Sequence, residues 1–140
     1  MKKGEKAAIV CCSNRRPQSE REKIQRLEQA LRGMDVVPVF SSRIYADGKE
    51  DRPDGRERAE ELMKFYREDG IREIFDISGG DTANEILPYL DYEVIAGSGR
   101  RFWGYSDLTT VINAIGRKSG NASVLYQVKN LAGAYGAVQQ

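Results

Sequence analysis

The sequence predicts an α/β domain: a flavodoxin-like or Rossmann-like parallel sheet with helices on both faces. Three observations carry that expectation. Short apolar runs alternate with segments whose apolar residues recur at helical spacing, which is the pattern of strands joined by crossover helices. The 140 residues fit one domain, with no internal repeat and no low-complexity linker. Two of the apolar runs pass directly through glycine-containing turns into a helix start, as strands do at the ligand-binding edge of an open sheet.

The first run, residues 7–12, reads as a buried strand. Ser19 and Glu22 have the spacing of a capping box, in which the serine accepts from the third amide and the glutamate reaches back. Ile24, Leu27, Leu31 and Met34 then fall on one helical face, with Gly33 at the stop. Residues 36–40 form a second strand, and Pro38 within it argues for an edge position. After a polar loop, Asp54 and Glu57 offer another cap, and Ala59, Leu62, Met63 and Tyr66 stripe a helix that ends at Gly70. The alternating Arg and Glu residues from Arg56 to Glu61 read as its solvated face.

Residues 71–78 form the third strand, followed by Gly79-Gly80-Asp81 and a short helix capped by Thr82 and Glu85. Residues 93–96 and 101–104 read as short strands around a Gly97-Ser98-Gly99 loop. A helix from about Asp107 carries Leu108, Val111, Ile112 and Ile115, and residues 123–128 form the last strand. The domain is expected to span residues 1–131, with residues 132–140 a tail or the start of a linker to a second domain.

Charge and composition exclude several classes. Lys and Arg number 22 against 21 Asp and Glu, so no global field favours nucleic acid or an anionic membrane as a partner. No apolar stretch approaches the ~20 residues that span a bilayer, and the apolar run after the basic start is too short for a secretory signal. A cytoplasmic location is the expectation. Cys11 and Cys12 are adjacent on a strand and point to opposite faces, so they suit buried reduced thiols better than a disulfide or a shared metal. Histidine is absent, which removes the commonest general base and metal ligand. No metal and no cofactor are expected.

The chemistry should sit where strands hand over to helices. Gly104-Tyr105-Ser106-Asp107 runs strand, glycine, aromatic, serine, helix. Such a turn can project a serine hydroxyl at the sheet edge while the amide after it helps to hold an oxyanion. Gly79-Gly80 can bring a second backbone amide to the same point because no side chain blocks the approach. Each feature also has a plain structural use: Ser106 as a helix cap, Gly79-Gly80 as a tight turn, and Asp107 as a charge at a helix start. The glycine pair fits neither a dinucleotide fingerprint nor a P-loop. One shallow cleft shared by Ser106 and Gly79-Gly80 is expected, with the loop at 97–101 near its rim.

At these residues the sequence resembles the LD-carboxypeptidase family. The run Ile77-Ser78-Gly79-Gly80-Asp81-Thr82-Ala83-Asn84-Glu85-Ile86-Leu87-Pro88-Tyr89-Leu90-Asp91-Tyr92 is similar to that family's Gly-Gly…Leu-Pro-Tyr-Leu-Asp-Tyr segment. It is nearest the branch of the microcin C self-immunity peptidases. Phe102-Trp103-Gly104-Tyr105-Ser106-Asp107-Leu108-Thr109 matches the family's Gly-Tyr-Ser-Asp-(Ile/Leu)-Thr. The resemblance implies a cytoplasmic, metal-free serine peptidase of peptidoglycan recycling, cleaving an amide between L- and D-centres. A murein tetrapeptide or a peptidyl-nucleotide would be the ligand. It implies Ser106 as nucleophile and the amides of Gly79, Gly80 and Asp107 as the oxyanion hole. It also implies a Glu and a His supplied by a C-terminal domain.

The sequence departs from the family in carrying no histidine and in ending where that second domain is expected. A serine without an adjacent base is a weak nucleophile, so these residues alone are expected to be inactive. Three readings stay open: half of a serine hydrolase, a non-catalytic homologue that binds a peptide or nucleotide-like ligand, and a truncated domain that self-associates. A homodimer is expected through residues from Ser123 onward.

Overall fold

Burial on both sides of the central strands fixes the layering. In a computed structural model that describes residues 4–46, 54–121, 123–126, 128 and 131, five parallel strands form one sheet. They are β1 (Lys6–Val10), β2 (Val37–Phe40), β3 (Ile71–Asp76), β4 (Arg101–Gly104) and β5 (Ser123–Leu125), in the order β2-β1-β3-β4-β5. That is the flavodoxin-like order, in which the chain runs outward in one direction after β1 and in the other after β3. Side chains alternate across the sheet. Ala8, Val10, Ile74 and Phe102 enter one core cluster, and Ala7, Ile9 and Phe75 enter the other.

The helices are α1 (Arg21–Gly33), α2 (Gly55–Arg67), α3 (Tyr92–Ser98) and α4 (Thr109–Ser119). Buried Ile24, Leu27 and Leu31 set α1 on the face of Ala7 and Ile9. Ala59, Leu62, Met63 and Tyr66 of α2 are buried on the opposite face, together with Ile95 of α3 and Val111 and Ile115 of α4. Three helices therefore cover one face and one helix the other.

Several sequence expectations hold. Pro38 lies on an edge strand, in register with Ala7. The Asp54 carboxylate caps α2 by accepting from the Glu57 amide at 2.9 Å. Cys11 and Cys12 form no disulfide with each other and pack against different core clusters, Cys12 buried and Cys11 half-buried.

Others are corrected. The Ser19 capping box does not form: Gln18–Glu20 is a 3-10 turn, and no side chain caps α1. Glu20 instead holds Arg16 through two contacts of 2.5 and 2.8 Å. Residues 93–96 are not a strand but part of α3, because Asp91 caps the helix by accepting from the Val94 amide at 3.2 Å. Residues 83–89 form a 3-10 helix whose N-cap, Thr82, commits its hydroxyl elsewhere. Arg58 is not on a solvated face; it is 4% exposed. The 132–140 tail lies outside the described residues.

Candidate active site

The site is built at the carboxyl ends of β1, β3 and β4. Gly104 closes β4 tightly, since a Cβ there would sit 2.6 Å from the Leu108 Cβ. Tyr105 keeps extended backbone as the cap of the following 3-10 turn (Ser106–Leu108). Ser106 then takes φ 56°, in the left-handed region. For a non-glycine residue that conformation is strained, and such strain concentrates at functional turns. The serine and Tyr105 are exposed, while Leu108 is buried beneath them and anchors the turn. Ser106 thus stands at a strand-to-helix elbow, as the sequence leads one to expect.

The turn after β3 is held differently. Gly80 has φ 106°, and a Cβ on it would lie 2.4 Å from the Asn14 side-chain nitrogen. The positive φ favours glycine there, and a side chain would have to push Asn14 aside. The Gly79 carbonyl accepts from the Asn14 amide at 2.8 Å, tying this turn to the loop after β1. Below it, the buried Asp76 carboxylate accepts from the Cys12 amide at 2.7 Å, the Ser78 amide at 2.7 Å and the Ser78 hydroxyl at 2.5 Å. The Ser78 hydroxyl in turn accepts from the Ser13 amide at 3.0 Å. Burial pushes the Asp76 carboxyl above its ordinary range, against hydrogen bonds from Ser78 and Cys12 that favour the charged form. Burial also pushes the Cys12 thiol well up, and the Asp76 charge adds to that. Cys12 is an inert core thiol.

Arg58 is the second brace. Its guanidinium donates to the Cys12 carbonyl at 2.7 Å, the Thr82 carbonyl at 3.0 Å and the Thr82 hydroxyl at 3.3 Å, and it pairs with Glu85. A buried arginine is stable only with its donors satisfied this way. Its inward aim was readable: Arg58 stands four residues before Leu62 and beside Ala59 on the buried stripe of α2.

Asp107 connects the two turns. Its carboxylate accepts from the Ala83 amide at 2.9 Å, so the elbow after β4 is bonded to the segment that follows Gly79-Gly80. For the Asp107 carboxylate, as distinct from its amide, the sequence suggests only a helix-start charge. A contact across 24 residues leaves no local signal. Of the expected site residues, Ser106, Asp107 and the Gly79-Gly80 turn all stand at the carboxyl edge of the two adjacent strands β3 and β4. The loop at 97–101 does not. It enters β4 at the amino end, where Arg100 bonds the Glu68 carbonyl, because every strand of a parallel sheet has its amino end at the same edge. No cluster of metal-ligating side chains occurs among the described residues. Nor is any helix among them long and apolar enough to cross a membrane.

Comparison with known proteins agrees with this geometry. The LD-carboxypeptidase N-terminal domain matches residues 7–126. A carboxypeptidase-like protein of Vibrio cholerae is 40% identical over 65 residues, covering 46% of this chain and 20% of that one. The microcin C7 self-immunity protein MccF of Escherichia coli is 37% identical over 65 residues, 46% of this chain and 19% of its own. A structure of MccF in complex with aspartyl sulfamoyl adenosine shares the fold with TM-score 0.80 at 24% identity, over 88% of this chain and 37% of that one. An MccF-like protein from Bacillus anthracis matches with TM-score 0.83 and 25% identity, over 94% of this chain and 40% of that one. The chain therefore spans well under half the length of the relatives it matches. On the strength of that fold and a match running from β1 past β5, the chain belongs to the LD-carboxypeptidase family, in the part that forms its N-terminal domain.

Proposed function

We propose that this chain is the nucleophile-bearing half of a serine LD-carboxypeptidase-like hydrolase, acting in the cytoplasm without a metal. Its substrate is an amide between L- and D-centres, in a murein tetrapeptide or a peptidyl-nucleotide. The observation that carries this is the left-handed backbone of exposed Ser106 at the β4 elbow. In this reading the Ser106 hydroxyl attacks the scissile carbonyl. The oxyanion that forms accepts from the backbone amides of Asp107 and of Gly79-Gly80, which are preorganised by the bonds beneath them. The attacking proton needs a base. With no histidine in the 140 residues, the Glu and His come from a C-terminal half, and these residues alone do not turn over. The aspartyl sulfamoyl adenosine complex of MccF supports the peptidyl-nucleotide arm of the substrate class.

The test is complementation. A family C-terminal half carrying Glu and His, supplied in trans, should give cleavage of a murein tetrapeptide or of aspartyl sulfamoyl adenosine. Ser106→Ala should abolish it, and the chain alone should show no rate above its own Ser106→Ala control. Cleavage that survives Ser106→Ala would overturn the assignment.

A second reading, self-association, is favoured by the β5 edge. Leu125 is 58% exposed there. Beside it an apolar groove of about 480 Å³ runs between Leu31 of α1, the following Met34, and Trp103, Val124 and Tyr126. A strand at the sheet edge among the described residues, beside apolar surface, suits a homodimer or a covering second half. Light scattering at micromolar concentration that shows a strict monomer removes the dimer.

A further inference from the structure

The seam between β1 and β3 is the switch point of this sheet, where the chain turns outward in opposite directions and where open α/β sheets take ligands. Asn14 stands at that seam, exposed, on the loop after β1. A chain of hydrogen bonds fixes how its side-chain amide points. The buried Arg58 guanidinium, which can only donate, donates to the Thr82 hydroxyl at 3.3 Å. The Ser13 hydroxyl, which accepts from the Thr82 amide at 3.2 Å, also lies 3.3 Å from the Thr82 hydroxyl. With Ser13 as the donor of that pair, both Thr82 lone pairs are taken and its proton goes to the Asn14 Oδ1, 3.2 Å away. With Oδ1 committed as an acceptor, the other atom of the amide is the Nδ2 donor. That nitrogen lies over the open face of Gly80, 2.4 Å from where a Cβ would be. Among the described residues no acceptor meets Nδ2. The main chain of Asn14 is itself pinned, its amide donating to the Gly79 carbonyl at 2.8 Å.

We infer that Asn14 is a substrate-contacting residue, its Nδ2 donating to an oxygen acceptor (a carbonyl or carboxylate) of the peptidyl part of the ligand bound over Gly80. The inference rests on the reading of Ser106 and Gly79-Gly80 as the reactive site and extends that site across the sheet seam. Three kinds of donor then converge on the ligand: the backbone at the elbow, the backbone at the glycine turn and a side chain on the first loop. The arrangement is preformed. The Nδ2 donor is oriented before any ligand arrives, so little ordering is needed on binding. The continuous bonding from Arg58 through Thr82 to Asn14, with Ala83 bonded to Asp107, makes the loop after β1 and the elbow after β4 parts of one frame.

The experiment is a nitrogen-15 NMR titration of this chain with a murein tetrapeptide and, separately, with aspartyl sulfamoyl adenosine. It compares the parent with Asn14→Asp and Asn14→Ala. Asn14→Asp keeps the oxygen that Thr82 bonds and removes the donor. The expected result is that one of the ligands shifts the backbone amides of Gly80, Ser106 and Asp107 together with the Asn14 side-chain NH2 pair. Both variants should then weaken its Kd about tenfold, while their spectra elsewhere stay those of the folded parent. If the backbone amides shift but both variants bind as the parent does, the Asn14 contact is wrong and the site reading stands. If neither ligand moves Gly80, Ser106 or Asp107, the site reading falls and the Asn14 contact falls with it.

Discussion

The two turns that face each other at the carboxyl edge of the sheet are held by opposite means. The turn after β3 rests on a buried polar frame: Asp76, Ser78, Arg58 and Thr82 reach the neighbouring loop through hydrogen bonds at the distances a satisfied interior needs. Among the described residues, the elbow after β4 joins that frame only through the Asp107–Ala83 bond. A missing Cβ at Gly104, buried Leu108 and a single carboxylate contact from Asp107 hold Ser106 in a conformation it disfavours. On the proposed function, the turn that would present backbone amides gains from being locked from below, and the one that would project a side chain into solvent is positioned by steric constraint and stored strain.

Breaking the polar frame should have the largest effect. Arg58→Met leaves the Cys12 and Thr82 carbonyls unsatisfied inside the protein and should cost about 3 kcal/mol in urea denaturation. Breaking the elbow sterically should cost less: Gly104→Ala forces Leu108 aside, for a loss of ~2 kcal/mol. The contrast sharpens with a change of opposite sign. Ser106→Gly relieves the left-handed strain and should raise stability by about 1 kcal/mol, whereas Ser106→Ala keeps the strain and should bring no such gain. If both raise stability equally, the strain account fails.

The smallest effect concerns pH. The folded Asp76 holds its proton more tightly than an unfolded aspartate, so the unfolded chain releases its proton first as pH rises. The Asp76 contribution is therefore fullest below the ordinary aspartate pKa of about 3.9. It declines as pH climbs from there through the raised folded value, and is flat beyond. Denaturation midpoints of the parent and Asp76→Asn across that range should diverge in slope, the parent falling more with rising pH. Parallel curves would mean that the hydrogen bonds from Ser78 and Cys12 fully offset the burial.

How much of this could be read in the residues depends on the range of the interaction. Periodicity placed all five strands and added a sixth at 93–96 that is helix, and the elbow at Ser106 followed from a strand, glycine, serine, helix succession that is entirely local. Val94-Ile95 misled because a short apolar run fits a strand or a buried helix face equally well, and Asp91 as a cap was the deciding signal. Ser19 misled because the capping pattern is local while the Arg16–Glu20 pairing that accompanies the 3-10 turn is not part of it. The frame under the glycine turn was out of reach: Cys12 and Asp76 meet across 64 residues, and Ser13 and Thr82 across 69. The turn pattern and the family resemblance pointed to Gly79, Gly80 and Asp107 but to neither the Asp107–Ala83 bond nor Asn14.

The strand order also governs how the chain comes together during synthesis. β1 is made first yet lies inside the sheet, and it gains β2 as a neighbour early. Its other side stays open until β3 has been made, because the bond from Cys12 to Asp76 spans 64 residues. At ~5–20 residues per second that is a wait of roughly three to thirteen seconds. Throughout it, Ala7 to Val10 lack their inner partner, and the frame beneath the glycine turn cannot yet exist. β4 and β5 add outward only afterwards, so this edge is assembled from the centre of the sheet toward Ser106, with the elbow after β4 among the last parts to be set.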